Sequence, residues 1–418
     1  MQKKRHYQVL IPIIILVALT AGCAGNLTSE VSPLSALPQN PGSDMPQVEH
    51  TETPPEPDAL ALTWAERYID NYLPFEVILE RALQEGSVLW YSSSSRAPAV
   101  ARSFMEQYPG IDVQIFHINT EAILERFPRE HAAGIRNVDI IVMSDSEGVV
   151  YKEFVQRGLL HNYFPYDIVP HIYDPSFMDY SMPMYITLNV WFYNPTLFPD
   201  GSPISSWWDV TLPEWNGRVL AHHPLHSPRY LAQLVTLVRY ADEMAADYER
   251  VFGRPIQLHP GSPTAGHEFI RRFLANNPIF ITSSSEVHRT VGAHDQTTAF
   301  IGMGSSSGLR RIETEGLNLA IGDLTPALSA PDMDSVYIVN EAPNPHAAKL
   351  FARWLLGEAD GQGLGIEPFN VAGSWPTRRD IPIHPINPPL SELTLFRHDG
   401  EFIYYNIFSV VDFILALP

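Results

Sequence analysis

Residues 82–96 read Ala82-Leu83-Gln84-Glu85-Gly86-Ser87-Val88-Leu89-Trp90-Tyr91-Ser92-Ser93-Ser94-Ser95-Arg96. Gly86 is a helix stop signal, and Val88 to Tyr91 is an apolar run short enough for a buried strand. The serines after it open a further helix. Outward from this stretch the same order recurs. Helix-like sequence runs to Gln107, Pro109-Gly110 interrupts it, and Ile111-Asp112-Val113-Gln114-Ile115 alternates as a strand does. Another helix precedes Val138 to Met143. The middle section offers strands at Val219–Ala221, Ile279–Ile281 and Ala299–Gly302, with helices over Tyr230–Tyr248 and Glu268–Ala275. Val336–Val339 is a last strand and His346–Leu356 a closing helix, before a Pro-rich and then aromatic tail. On the amino-terminal side, 59–85 reads as two short helices, with Pro74 at the start of the second. Strands alternating with helices predict a parallel sheet, hence an α/β fold.

The chain has 418 residues, too many for one ordinary core, so two lobes are expected. Its 47 acidic residues against 27 Lys and Arg give a net charge of −20. That balance argues against nucleic acid and against a polybasic membrane surface as partners.

The first residues read as a targeting segment. Lys3, Lys4 and Arg5 precede the apolar Leu10–Leu19, and Leu19-Thr20-Ala21-Gly22-Cys23 forms a small-residue cleavage site. The single cysteine of the chain falls on that site, so no internal disulfide is possible. The segment resembles a bacterial lipoprotein signal, which implies that Cys23 is lipidated and becomes the mature amino terminus. Residues 24–58 hold no Lys or Arg and are broken by Pro33, Pro38, Pro41, Pro46, Pro54, Pro55 and Pro57. They read as a disordered Pro-rich tether, about 110 Å long if fully extended.

Serine clusters stand where strands hand over to helices. They are Ser93-Ser94-Ser95-Arg96, Ser144-Asp145-Ser146, Ser227-Pro228-Arg229, Ser284-Ser285 and Ser305-Ser306. The first N–H groups of a helix lack internal partners and sit at the positive end of its dipole, so helix starts attract oxyanions. Small hydroxyls add donors without blocking approach. Each cluster alone could be an ordinary N-cap. Five together, with Arg96 and Arg229 beside them, predict a cleft for an oxyanionic ligand at the carboxyl ends of the strands.

The sequence resembles the extracellular solute-binding proteins of ABC importers, in the group with ferric-iron-, hexose-phosphate- and phosphonate-binding members. Residues 82–92 match that family's opening A-x-x-E-G-x-V-x-x-Y-S, and Phe104 to Ile111 its F-x-x-x-Y-P-G-I. Val138-Asp139-Ile140 corresponds to a strand of the family. Ser206 to Val219 is close to S-W-x-D-L-x-x-P-x-W-x-G-K-I, and Ala342 to Phe351 to A-P-H-P-x-A-A-K-L-F. The likeness spans about Ala82 to Asp380 in the family's order. It implies a two-lobed periplasmic-binding-protein-like fold of type 2, with two crossing strands as hinge near Ser181–Val190 and Ala320–Leu328. Lobe 1 would hold 59–187 and 326–418, and lobe 2 would hold 188–325. It further implies a monomeric binding protein, not an enzyme, without a cofactor. It would be anchored by lipid on the extracytoplasmic face and serve a permease and its ATPase.

Iron-binding members use a His after the first strand and a paired Tyr-Tyr in the second lobe. Here Ser93 to Arg96 and Gly304-Ser305-Ser306 stand at those places, and Tyr404-Tyr405 comes too late. The expected solute is therefore a small phosphate- or phosphonate-bearing molecule. Ferric iron, or a polyamine held by Asp145, Glu286 and Tyr185, is the alternative within the fold, and a non-transport sensor is another. Trp207, Trp208 and Trp215 are expected to pack, and His222, His223 and His226 to sit on a loop beside Pro224. Gly304-Ser305-Ser306-Ser307-Gly308 also spells the G-x-S-x-G of a hydrolase elbow. Asp323 or Asp334 and His346 or His384 follow in triad order, yet no His-Gly-Gly segment precedes it.

Overall fold

The computed structural model describes residues 59–296 and 298–418; the signal, Cys23 and the tether lie outside the described residues. The strands are β1 (Ser87–Ser92), β2 (Asp112–His117), β3 (Ile140–Ser144), β4 (Leu160–His161), β5 (Met182–Tyr193) and β6 (Val219–His222). They continue as β7 (Ile279–Ile281), β8 (Ile301–Ser305), β9 (Ala320–Ile321), β10 (Pro331–Val339) and β11 (Trp375–Pro376). The helices are α1 (Ala59–Tyr68), α2 (Phe75–Glu85), α3 (Ala97–Gln107), α4 (Thr120–Ala132), α5 (Pro228–Arg239) and α6 (Ala241–Phe252). After them come α7 (Ala265–Ala275), α8 (Ser284–Val291), α9 (Arg310–Glu315), α10 (Pro345–Leu355) and α11 (Gly400–Leu415). The helix expected over Tyr230–Tyr248 is in fact two, broken at Tyr240 with ψ at 41°.

Strand order is β2-β1-β3-β10-β5-β8-β6-β7. Two parallel groups, β2-β1-β3 and β8-β6-β7, are joined by the antiparallel pair β10 and β5. The twelve residues of β5 serve both: Met182–Leu188 pairs with β10, and Asn189–Phe192 pairs with β8. The return passes from β9, on β5, through 322–330 to β10. These are the two crossings, and they define a two-lobed α/β fold whose sites open at strand ends.

The opening motif has a clear local cause. Gly86 ends α2 in the left-handed conformation, φ 72°, and its N–H donates to Ala82 O at 2.9 Å. The Glu85 carboxylate accepts from His346 N at 2.9 Å and Ala347 N at 2.7 Å, so α2 caps α10. Each lobe has its own aromatic core. In the first, Trp90, Phe104 and Phe351 meet with centroids 5.0–5.1 Å apart. In the second, Trp207 and Trp208 pack on Phe269 and donate to Ala327 O and Met244 O. Both tryptophans are fully buried, the packing role expected of them.

The carboxyl-terminal tail is not an appendage of one lobe. Helix α11 packs on α5 and α7 and also on the π-helical turn Val150–Val155. Just before and within its first turn, Arg397 pairs with Asp179, Asp399 with Arg239 at 3.1 Å, and Glu401 with Lys152 at 2.6 Å. Successive pairs alternate between the first lobe and the second. A Cβ on Gly148 would overlap the Gly400 carbonyl, so the strap lies directly against the turn that follows β3.

Candidate ligand cleft

A cleft of about 300 Å³ opens at the junction of the two strand groups. On one side stand Thr120, Glu121 and Leu124 from the start of α4, and Ser144 to Glu147, Val149 and Val150 from the end of β3. Facing them are His222 from β6, Ser227 to Tyr230 from the start of α5, and Ser284 from the start of α8. Asn189 of β5 and Met303 of β8 complete the lining.

On the first side the helix starts are already occupied by the protein's own side chains. Asn119 Oδ1 accepts from Ala122 N at 2.8 Å and caps α4. The Asp145 carboxylate accepts from Val150 N at 3.0 Å and Tyr151 N at 2.8 Å. Asp145 thus takes the donors that the sequence had reserved for a ligand. Burial pushes its carboxyl up to about 6 although three backbone donors pull it down. Glu147 is also raised, by burial first and then by Asp145 and Glu121.

The second side is different. Neither Ser227, at the start of α5, nor Ser283, at the start of α8, makes a side-chain cap bond. His222 and Ser284 join ring Nε2 to Oγ at 3.0 Å. Burial, with Arg229 nearby, lowers His222 below its ordinary value, so the ring is neutral at pH 7. Arg229 meets Asp332 of β10 in an ion pair, and Ser146 Oγ donates to the same Asp332 at 2.7 Å. Burial opposes the charge on Arg229, but Asp332 and Asp334 outweigh it and hold the guanidinium protonated. Asp334 itself is pushed up to about 6, by burial and then by Asp332.

Of the residues expected at the site, Ser144, Asp145, Ser146, Ser227, Arg229 and Ser284 line this cleft. The others lie elsewhere. Ser94 Oγ accepts from Arg96 N at 3.2 Å as an ordinary turn contact, and Ser93 and Ser95 are exposed. Arg96 lies over the Phe369 ring at 5.5 Å, and Phe369 stacks on Tyr185. Ser285 accepts from Arg311, and Ser305 pairs with Ser307 at 3.0 Å. Ser306 is fully buried, accepting from Leu188 N at 2.9 Å and donating to Gly373 O. It ties β5 to the loop before β11, so the G-x-S-x-G match presents no nucleophile. His346 is likewise committed, to Glu85 at 2.7 Å.

Sequence reasoning missed Thr120, Glu121, Glu147, Asn189, Tyr230 and Asp332. Asn119-Thr120 after a strand carried the same capping signal as the serines, and could have been read. The acids carried no local signal. Among the described residues no cluster of three or more His, Cys, Asp or Glu could hold a metal ion. No helix among them is long and apolar enough to cross a membrane.

No protein-family model and no curated protein matches the chain. Solved structures do match it in fold. Iron-bound HitA from Pseudomonas aeruginosa is 15% identical, with a TM-score of 0.60 over 79% of this chain and 99% of that one. IdiA (FutA) of Trichodesmium, solved with iron and citrate, is 16% identical, with a TM-score of 0.57 over 79% and 99%. The periplasmic binding protein AfuA from Actinobacillus pleuropneumoniae, solved with fructose-6-phosphate, is 16% identical, with a TM-score of 0.57 over 79% and 98%. This chain therefore has the two-lobed fold of the type 2 periplasmic binding proteins.

Proposed function

We propose that this chain is the extracytoplasmic solute receptor of an ABC importer, and that its cleft takes a small organic solute bearing an oxyanion. The observation that carries the reading is the start of α5, where Ser227 makes no side-chain cap bond and Ser227, Arg229 and Tyr230 line the cleft. Residues 59–187 with 326–418, and 188–325, would be the lobes that close on the solute about β5 and 322–330. The α11 contacts described above add a link between them. Attachment to the membrane would run through lipid on Cys23, and the permease and ATPase would read the closed shape.

Thermal unfolding of the purified chain against sugar phosphates, phosphonates, sulfate, spermidine and ferric citrate tests this. A ligand at about 100 times its Kd adds roughly 2.7 kcal/mol, a shift of a few degrees. Shifts confined to the phosphorylated solutes are expected. Shifts only with ferric citrate or spermidine would keep the receptor reading and overturn the oxyanion.

A further inference from the structure

The geometry points to a second binding site beside the return crossing, where a cavity walled by Phe177, Met333 and Phe396 takes a small aromatic amine with its ammonium on Asp174. This cavity shares no lining residue with the cleft, and the site stands independently of the oxyanion reading.

The cavity measures about 200 Å³. Its floor is Pro331 and Met333 at the start of β10, and its walls are the turn 173–177 and the segment 390–398. Both walls are anchored by contacts of their own. Leu328 N donates to Thr394 O at 2.8 Å and Phe396 N to Ser329 O at 2.9 Å, which tie the second wall to the crossing. Tyr173 N donates to Thr377 O at 2.7 Å and fixes the first. The space is therefore preformed, and a ligand entering it has little ordering to offset. Phe177, Met333, Leu390 and Phe396 are each less than a tenth exposed, so the interior is apolar. Close-packed proteins leave few voids larger than a water, and an apolar body suits one with such walls. Two phenyl rings and a thioether favour an aromatic one. The volume lies below the roughly 300 Å³ at which pockets for drug-sized ligands begin, which limits the occupant to a single ring with a short side chain.

The polar groups at the cavity decide the head group. Arg397 is committed to Asp179, through Nε at 3.2 Å and Nη2 at 2.5 Å. Burial lowers His398 below its ordinary value, so its ring is neutral at pH 7.5 and adds no cation. Asp174 is left uncompensated. Its Oδ1 accepts from Ser176 N at 2.8 Å, while its other oxygen has no partner and it makes no ion pair among the described residues. A ligand ammonium supplies that partner, and the aromatic walls favour a cation as well.

Titration calorimetry of the full-length chain at pH 7.5 with phenethylamine, 2-phenylethanol and ethylamine tests the site. Phenethylamine is expected to bind about tenfold or more tightly than 2-phenylethanol, the worth of one charge-assisted contact, and ethylamine, which lacks the ring, not measurably. Asp174→Asn keeps an acceptor for Ser176 N and removes the charge, so the amine and the alcohol should then bind alike. Leu395→Trp, on the second wall, fills the cavity and should abolish binding of both, with a thermal unfolding curve showing that the variant folds. If it does not fold, the ratio in Asp174→Asn decides alone. The proposal is overturned if phenethylamine does not bind, or if the unaltered chain binds amine and alcohol equally. Undiminished binding by folded Leu395→Trp, or an unchanged ratio in Asp174→Asn, would place the amine elsewhere and overturn it too.

Discussion

The two walls of the cleft are built from the same parts and end in opposite states. Each presents helix starts at the carboxyl ends of parallel strands. On the first wall, Asn119 and Asp145 fill those starts with side-chain oxygens of the protein itself. On the second, α5 and α8 begin without a side-chain cap bond. A helix start is therefore a site only where the chain does not supply its own acceptor. The residue type at the start is ambiguous, and its rotamer decides.

Breaking the second wall should have the largest effect. Arg229→Gln removes the cation at the α5 start, and oxyanion affinity is expected to fall by about a hundredfold, near 3 kcal/mol. Asp332→Asn does the reverse, releasing Arg229 from its partner, and should tighten oxyanion binding by roughly tenfold. Titration calorimetry with ethyl phosphate reads both, and a drop in affinity for Asp332→Asn would refute the idea that this pair restrains Arg229.

On the first wall the effect should appear in stability before binding. Asp145→Ala leaves Val150 N and Tyr151 N without their acceptor and should cost about 1–2 kcal/mol in urea unfolding. The pH dependence sharpens the same point. Asp145 and Asp334 are raised from 3.8 to about 6, so the folded chain binds more protons than the unfolded one between those values. Their contribution to stability therefore declines as pH rises from 4 to 6. Asp145→Asn should flatten that decline. Glu268 acts in the opposite sense: against burial, Arg271 and Arg272 hold it at about 2, and its contribution is lost only as pH falls from 4.5 towards 2. The smallest effect belongs to the exposed cap: Asn119→Ala should cost about 0.5–1 kcal/mol, read by the same unfolding curves.

Much of this architecture was legible because it is local. Gly86 ends a helix, Val88 to Tyr91 is a buried strand, and the junctions after β3, β6 and β7 do converge on one cavity. What escaped was set at long range. Ser306 has the same neighbours in sequence as a cleft serine, yet the pairing of β5 with β8 places it in the core. Asp332 joins Ser146 to Arg229 only because β10 is inserted between β3 and β5. Nothing near residue 332 in the sequence announces that. The tail, which in sequence is only Pro-rich and then aromatic, forms the sixteen residues of α11 after Asp399.

That tail has a mechanical consequence. Opening the jaws about β5 and 322–330 would force the segment from Arg397 to Glu401 to stay with one lobe and let go of the other. If it stays with Lys152 and Asp179, the contacts surrendered include the pair of Asp399 with Arg239 and the packing of α11 on α5 and α7. Every 1.4 kcal/mol held in those contacts would shift the ratio of shut to gaping molecules about tenfold. On the reading proposed above, a short run of residues far from the cleft would then set how often the empty molecule stands shut.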